Sequence, residues 1–341
     1  MSKPRLLRAL LPFGVTAAIL FEISRRVDVL GAFERIRADT LLVLLPALIA
    51  YGLLSLGIEA ISLMRAGSET GRALSFSSMA RLKAASYPLG LLHYALGAGA
   101  LVVLLRRRAG LALAEATGVV VLISALDLLA LLSLAVVASA WLATEEAVLR
   151  LGIVAIVLVG APLGLLALRT ETSLGPLEPL RSLRVLRAAR EIRLAHLAQL
   201  LALRLLFVAT FVALGAAALA AFGLHPRLGA LVVGFAQIAL VAAIPIAVAG
   251  LGTSQAVFLF VFRSLAPAEE LLACSVALSA GIIAVRVALG VACVREFSPP
   301  AATGERLDDA SALYKADLAR HHAAYRFAES HACSGLAIDL G

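Results

Sequence analysis

Residues 40–64 read TLLVLLPALIAYGLLSLGIEAISLM, an apolar run of 25 residues whose single charge is Glu59. At 1.5 Å rise per residue such a run forms a helix of roughly 37 Å, enough to cross the ~30 Å hydrocarbon core of a bilayer. Comparable runs occupy 7–24, 115–142, 149–168, 197–222 and 270–294. With 62% hydrophobic residues and a mean hydropathy of +0.99, the 341-residue chain has too little polar surface for a water-soluble domain of this length. The expected fold class is an all-α polytopic membrane protein with about six full transmembrane helices. One membrane domain covers 1–296. From 297 to 341 the composition turns to prolines, charges and histidines, which predicts a polar, partly disordered cytoplasmic tail.

Two further apolar regions are broken. Residues 84–105 carry Pro88, Gly90, His93, Gly97 and Gly99, and residues 228–264 are interrupted at Pro245, Gly250 and Gly252. Such interruptions mark discontinuous or re-entrant elements, tolerated where protein or a wet cavity satisfies the freed backbone groups. Charge favours re-entry for the first. Arg65, Arg72, Arg81 and Lys83 form a basic loop, Arg106, Arg107 and Arg108 follow the broken region, and Arg169 to Arg193 form a third basic segment. All of these, with Lys3, Arg5 and Arg8, fall on the cytoplasmic side only if 84–105 enters and leaves on that side. The second region then enters from the outer face, both termini are cytoplasmic, and the chain reads as an inverted repeat in the plasma (inner) membrane. The weak point is 228–247, which is long enough to cross fully and return as a half helix.

The formal charge of +8 does not argue for nucleic acid, because the arginines lie in short loops beside apolar runs. Arg181, Arg184, Arg187 and Arg190 recur every third residue and spread into a broad basic arc, suited either to anionic lipid headgroups at the interface or to a solvated loop. Lys3, Arg5 and Arg8 before an apolar stretch imitate a secretory signal, but no small-residue cleavage site follows, so this stretch is read as a first uncleaved helix. Cys274, Cys293 and Cys333 show no CxxC spacing, and neither a metal site nor a cofactor is expected. The sequence holds no GxSxG or HExxH, so no catalytic residue is assigned.

Ionisable groups inside apolar runs are the remaining signal, because each costs roughly 2.5 to 3.5 kcal/mol at a helix centre unless partnered. Asp127 lies mid-span with Ser124 one turn before it, and Arg286 lies in the last span. A pair of Asp127 with Arg286 or with Arg204 would neutralise both. The alternatives are a polar site for a lipid headgroup or proton, and snorkelling, which is expected of Glu59 and Arg204 near their helix ends. His93 is a candidate titrating group or a structural histidine. Gly250 and Gly252 allow a tight turn before Thr253, whose helix start would favour a phosphate; a plain kink explains the same Gly and Pro residues equally well.

The run AIPIAVAGLGTSQAVFLFVF (243–262), followed by a span containing Arg286, resembles the flippase-like membrane domain of the lysylphosphatidylglycerol synthase transmembrane family. RRRAGLALAEATGVVVLISALDLLALL (106–132) is similar to that family's first half, with Arg107, Arg108, Gly110, Glu115, Ala116 and Asp127 at matching places; together the likeness covers roughly 10–295. The resemblance implies a lipid-translocating or lipid-processing domain, in some members fused to a soluble aminoacyl-transfer domain that this chain is expected to lack. Gln255 stands where the family has Glu, and Ser124 where it has Arg. Leu89, His93, Gly97 and Leu101 stand where it has Asn, Pro, Gly and Arg, so only Gly97 is kept. The expected function is movement of a phospholipid, hopanoid or polyisoprenoid-linked lipid between leaflets. Gly97, Pro245, Gly250 and Gly252 would shape the broken helices, and Asp127, Arg286, Gln255, Ser124 and His93 are the candidate binding residues. The alternative is a non-catalytic membrane subunit that presents lipid to a separate glycosyl- or aminoacyltransferase.

Overall fold

The computed structural model of the chain describes residues 21–23, 25, 27–28, 31, 34–68, 74–139, 155–169, 186–243 and 252–298. Every regular element among them is a helix. Four are long and apolar enough to span a bilayer: α1 (Ala38–Ser68), α4 (Leu113–Ser139), α7 (Leu194–Ala221) and α10 (Ala268–Ala292). The expected spans at 40–64, 115–142, 197–222 and 270–294 are therefore present. The one at 149–168 is described from residue 155 as a π-helical turn, Ile156–Gly160, followed by α5 (Ala161–Arg169). The span at 7–24 lies almost wholly outside the described residues, as do Pro245, Gly250, Arg181, Arg184 and the tail beyond Ser298.

Both broken regions are helical hairpins. The first joins α2 (Phe76–Leu92) to α3 (Tyr94–Arg108) through His93 alone, which adopts an extended conformation. It starts earlier than residue 84, where the Ser75 hydroxyl accepts from the Ser78 N–H and caps α2. Gly97 makes the reversal possible: a Cβ there would lie 2.5 Å from the Gly90 Cα and 2.9 Å from the Gly90 nitrogen. The second hairpin pairs α8 (Leu228–Ala243) with α9 (Thr253–Phe262), and Gly234 of α8 lies against Phe262 and Val261 of α9. The alternative for 228–247, a full crossing that returns as a half helix, ends in residues outside the described ones.

Two apolar cores organise the bundle. The first contains Ala60 and Leu63 of α1, Leu82 of α2, Leu104 of α3, Ala116 of α4 and Leu200 of α7, with Cys293 packed against it. The second contains Leu44 and Leu48 of α1, Leu219 of α7, Phe235 of α8, Phe258 and Phe262 of α9, and Leu271 and Cys274 of α10. Consequently α1 and α10 run in opposite directions to α7 and α4. The first hairpin is rooted in the first core and the second hairpin in the second. Each half is thus span, hairpin, span, and exchanging the halves preserves the packing. The pair α1 with α2 corresponds to α7 with α8, α3 with α4 to α9 with α10, and α2 with α10 to α8 with α4. This is an inverted repeat.

Small residues and rings set the close approaches, as expected where lipid removes the hydrophobic drive between helices and packing must supply it. A Cβ at Gly215 would strike the Phe235 ring, which itself sits edge-on to Phe211 at 5.5 Å and Phe258 at 6.0 Å. The outward face of α1 carries Leu42, Val43, Leu45, Leu53 and Leu54, all exposed. That face suits acyl chains and not water.

Candidate functional site

The charges lie between the two cores. Arg204 of α7 is only 1% exposed. Its guanidinium donates to the Asp127 carboxylate of α4 at 3.3 Å, to the Ile58 carbonyl of α1 at 3.3 Å and to the Ser62 hydroxyl, and it sits 5.4 Å from the Phe207 ring centroid. Of the two pairings open to Asp127, this is the one formed. Glu59 is 9% exposed; its carboxylate lies 2.7 Å from the Lys83 ammonium and accepts from the Tyr87 hydroxyl at 2.5 Å. The expectation that Glu59 and Arg204 snorkel is therefore corrected. Each sits two or three turns inside its helix, where the neighbouring α2 and α4 block the path to the interface and supply a partner instead.

Lys83 is corrected as well. It belongs to the rising arm of the first hairpin, not to a basic loop, because α2 begins at Phe76. Sequence reasoning passed over Lys83, Tyr87 and Tyr51 as site residues. The signal that could have found them is Glu59 itself, an acid in an apolar run that needs a cation from the next element. Arg286 of α10 joins the same group, beside the Tyr51 hydroxyl and over the Tyr87 ring at 5.4 Å.

These side chains open onto a cavity of about 540 Å³ lined by α1, both hairpins, α4, α7 and α10. Glu59, Lys83, Tyr87, Asp127, Arg204 and Arg286 line one part of it, and Phe211, Ile238, Ala239, Phe258 and Ile282 supply an apolar part. The volume falls in the ordinary range for small-molecule sites. The turn of the first hairpin reaches the cavity through Gly90, Tyr94 and Gly97, and Ser254 reaches it from the second.

Ser124 lines the cavity and hydrogen-bonds the Tyr94 hydroxyl at 2.8 Å, which fastens the tip of the first hairpin to α4. Gln255 stands behind the wall. Its side-chain carbonyl accepts from the Gly252 N–H at 2.6 Å and its amide donates to the Ser279 hydroxyl at 3.0 Å, tying the start of α9 to α10. Gly252 needs to be glycine, since its φ of +85° is rarely open to other residues. His93 does not line the cavity; its Nδ1 accepts from the Ala95 N–H at 3.1 Å and caps α3. Arg187 and Arg190 fall on a short helix, α6 (Arg187–Glu191), and Arg190 does not line the cavity.

On comparison with known proteins, the family described as Lysylphosphatidylglycerol synthase TM region matches residues 9–290. No curated protein and no solved structure matches the chain.

Proposed function

As the chain belongs to the lysylphosphatidylglycerol synthase transmembrane family, we propose that this multi-pass membrane protein moves a lipid between the two leaflets, its headgroup passing through the central cavity. The observation that carries this reading is the meeting of two hairpins, rooted in opposite cores, at one charged cavity of about 540 Å³. Discontinuous helices that converge from opposite faces are the usual basis of a midplane transport site. The protein works as a transporter and makes no covalent change to the lipid. It sits in the inner (plasma) membrane with Arg65, Arg81 and Arg106 to Arg108 on the cytoplasmic side and both termini there. That orientation is supported by the positive-inside rule, since Arg65, Arg81, Arg106, Arg107, Arg108, Arg190, Arg193 and Arg295 at that end outnumber Arg35, Arg37, Arg227 and Arg263 at the other.

The test is lipid movement in vesicles containing the purified protein, with labelled phospholipid and labelled polyisoprenyl phosphate as probes. The expected result is movement above that of empty vesicles, lost in Arg286→Gln and reduced in Asp127→Asn. No movement of any lipid would overturn the transport reading and favour a subunit that presents lipid to a separate transferase, which would then co-purify.

A further inference from the structure

Three cations and two carboxylates line the cavity: Lys83, Arg204 and Arg286 against Glu59 and Asp127. Two of the cations are paired, Lys83 with Glu59 at 2.7 Å and Arg204 with Asp127 at 3.3 Å. Arg286 is left with aromatic neighbours. Among the described residues no carboxylate lies within 4.0 Å of its guanidinium; the Tyr87 ring faces it at 5.4 Å. A surplus positive charge held at bilayer depth is costly unless something brings a counter-charge.

We propose that the cavity selects a lipid headgroup carrying one negative charge, a single phosphodiester, with Arg286 as the residue that binds it and Glu59 as a built-in competitor that limits its affinity. The selection rests on the transport reading above only for its physiological use; the binding preference is a separate property. Arg286 offers a planar set of donors suited to two phosphate oxygens. Lys83 lies near the same Tyr87 ring, 5.8 Å from its centroid, but Glu59 occupies it. A monoanion therefore neutralises the site. A zwitterion brings its own cation and restores the surplus, and a dianion overshoots unless it displaces Glu59 from Lys83. Ser86 and Tyr94 on the first hairpin also line the cavity and provide neutral hydroxyls for the rest of a headgroup.

The test is thermal stabilisation of the full-length protein in a neutral detergent by short-chain phosphatidylglycerol, short-chain phosphatidylcholine and inorganic phosphate, each titrated alone. Phosphatidylglycerol is expected to bind at least about tenfold more tightly than phosphatidylcholine, the scale of one charge-assisted hydrogen-bond pair. Arg286→Gln should erase that preference, Arg286→Lys should keep most of it, and Glu59→Gln should raise phosphatidylglycerol affinity by freeing Lys83. The Glu59 variant moves in the opposite direction to a folding defect, so a generally weakened protein cannot imitate it. Equal binding of the two lipids, or an unchanged preference in Arg286→Gln, would overturn the proposal. Phosphate competing as well as the lipid would also overturn it, as the site would then serve a free anion. Should the two lipids bind equally while vesicles move them, selection falls and transport stands. Should phosphatidylglycerol bind with preference but nothing move, selection stands and transport falls.

Discussion

Arg204 ties α7 to α1 and α4 at once. Replacing it with Ala leaves Asp127 without its partner and removes two donors to α1. The expected loss is about 2 kcal/mol, less than the 3–5 typical of a broken pair sealed in a protein interior, because the Asp127 side chain is 36% exposed and membrane hydrogen bonds measure smaller. Asp127→Asn still accepts from the guanidinium and should cost less than about 1 kcal/mol. Thermal unfolding in detergent checks both, and an Asn variant weaker than the Ala variant would refute this ranking. At this scale the sequence showed which residues are costly but not how they pair. Asp127 had two possible arginines, 77 and 159 positions away, and only the packing of α4 against α7 chose between them.

The elements depend on a few backbone approaches. Gly97→Ala would force its Cβ into the backbone of Gly90, which cannot rotate away as a side chain would, and should destabilise the first hairpin by about 1–3 kcal/mol. Two residues on, Gly99→Ala meets nothing within 4 Å and, inside a helix, should hold or slightly raise the unfolding temperature. A matched pair of melting curves decides this, and equal temperatures would remove the close approach as an explanation. Gly252→Ala places a side chain at φ +85° and should cost about 1–2 kcal/mol while loosening the Gln255 bridge to Ser279. The base of the first hairpin is held differently. Glu296, just past α10, bridges Arg81 of α2 at 3.3 Å and Arg108 of α3 at 3.4 Å, and Arg108 also donates to the carbonyls of Arg295 and Glu296. Arg81 is more than half exposed, so Glu296→Ala should cost at most about 1 kcal/mol, measurable in the same melts. That 84–105 and 228–264 are broken was legible from their Gly and Pro residues, whereas the position of the first break at His93, with Pro88 inside α2, was not. The start of α2 was not, since the stretch FSSMARLKAAS is polar enough to pass for a loop, and only its packing against α1 and α10 makes it a helix.

Over the whole molecule the inverted halves predict which ends share a face. In a variant with the three native cysteines replaced by serine, a single cysteine at Ser75 or at Gly110 should react with a membrane-impermeant reagent from one side. A single cysteine at His225 should react from the other. Reaction of Ser75 and Gly110 from opposite sides would mean that the first hairpin crosses the bilayer.

What the sequence determined by itself was the solvent, the main spans and the two breaks. Hydrocarbon thickness converts an apolar run of about 20 residues into a crossing, whatever its neighbours are. The likeness of 106–132 and 243–262 to a known family was also readable there, because short motifs are local. What only the tertiary structure decided was the cavity and its charge pattern. Glu59, Lys83, Asp127, Arg204 and Arg286 come from five helices far apart in the chain, and a charge in a membrane acquires its partner from whichever helix packs against it. Periodicity and composition carry no information on that choice, whereas helix packing makes it, through contacts as small as Gly97 on Gly90 and Gly215 on Phe235.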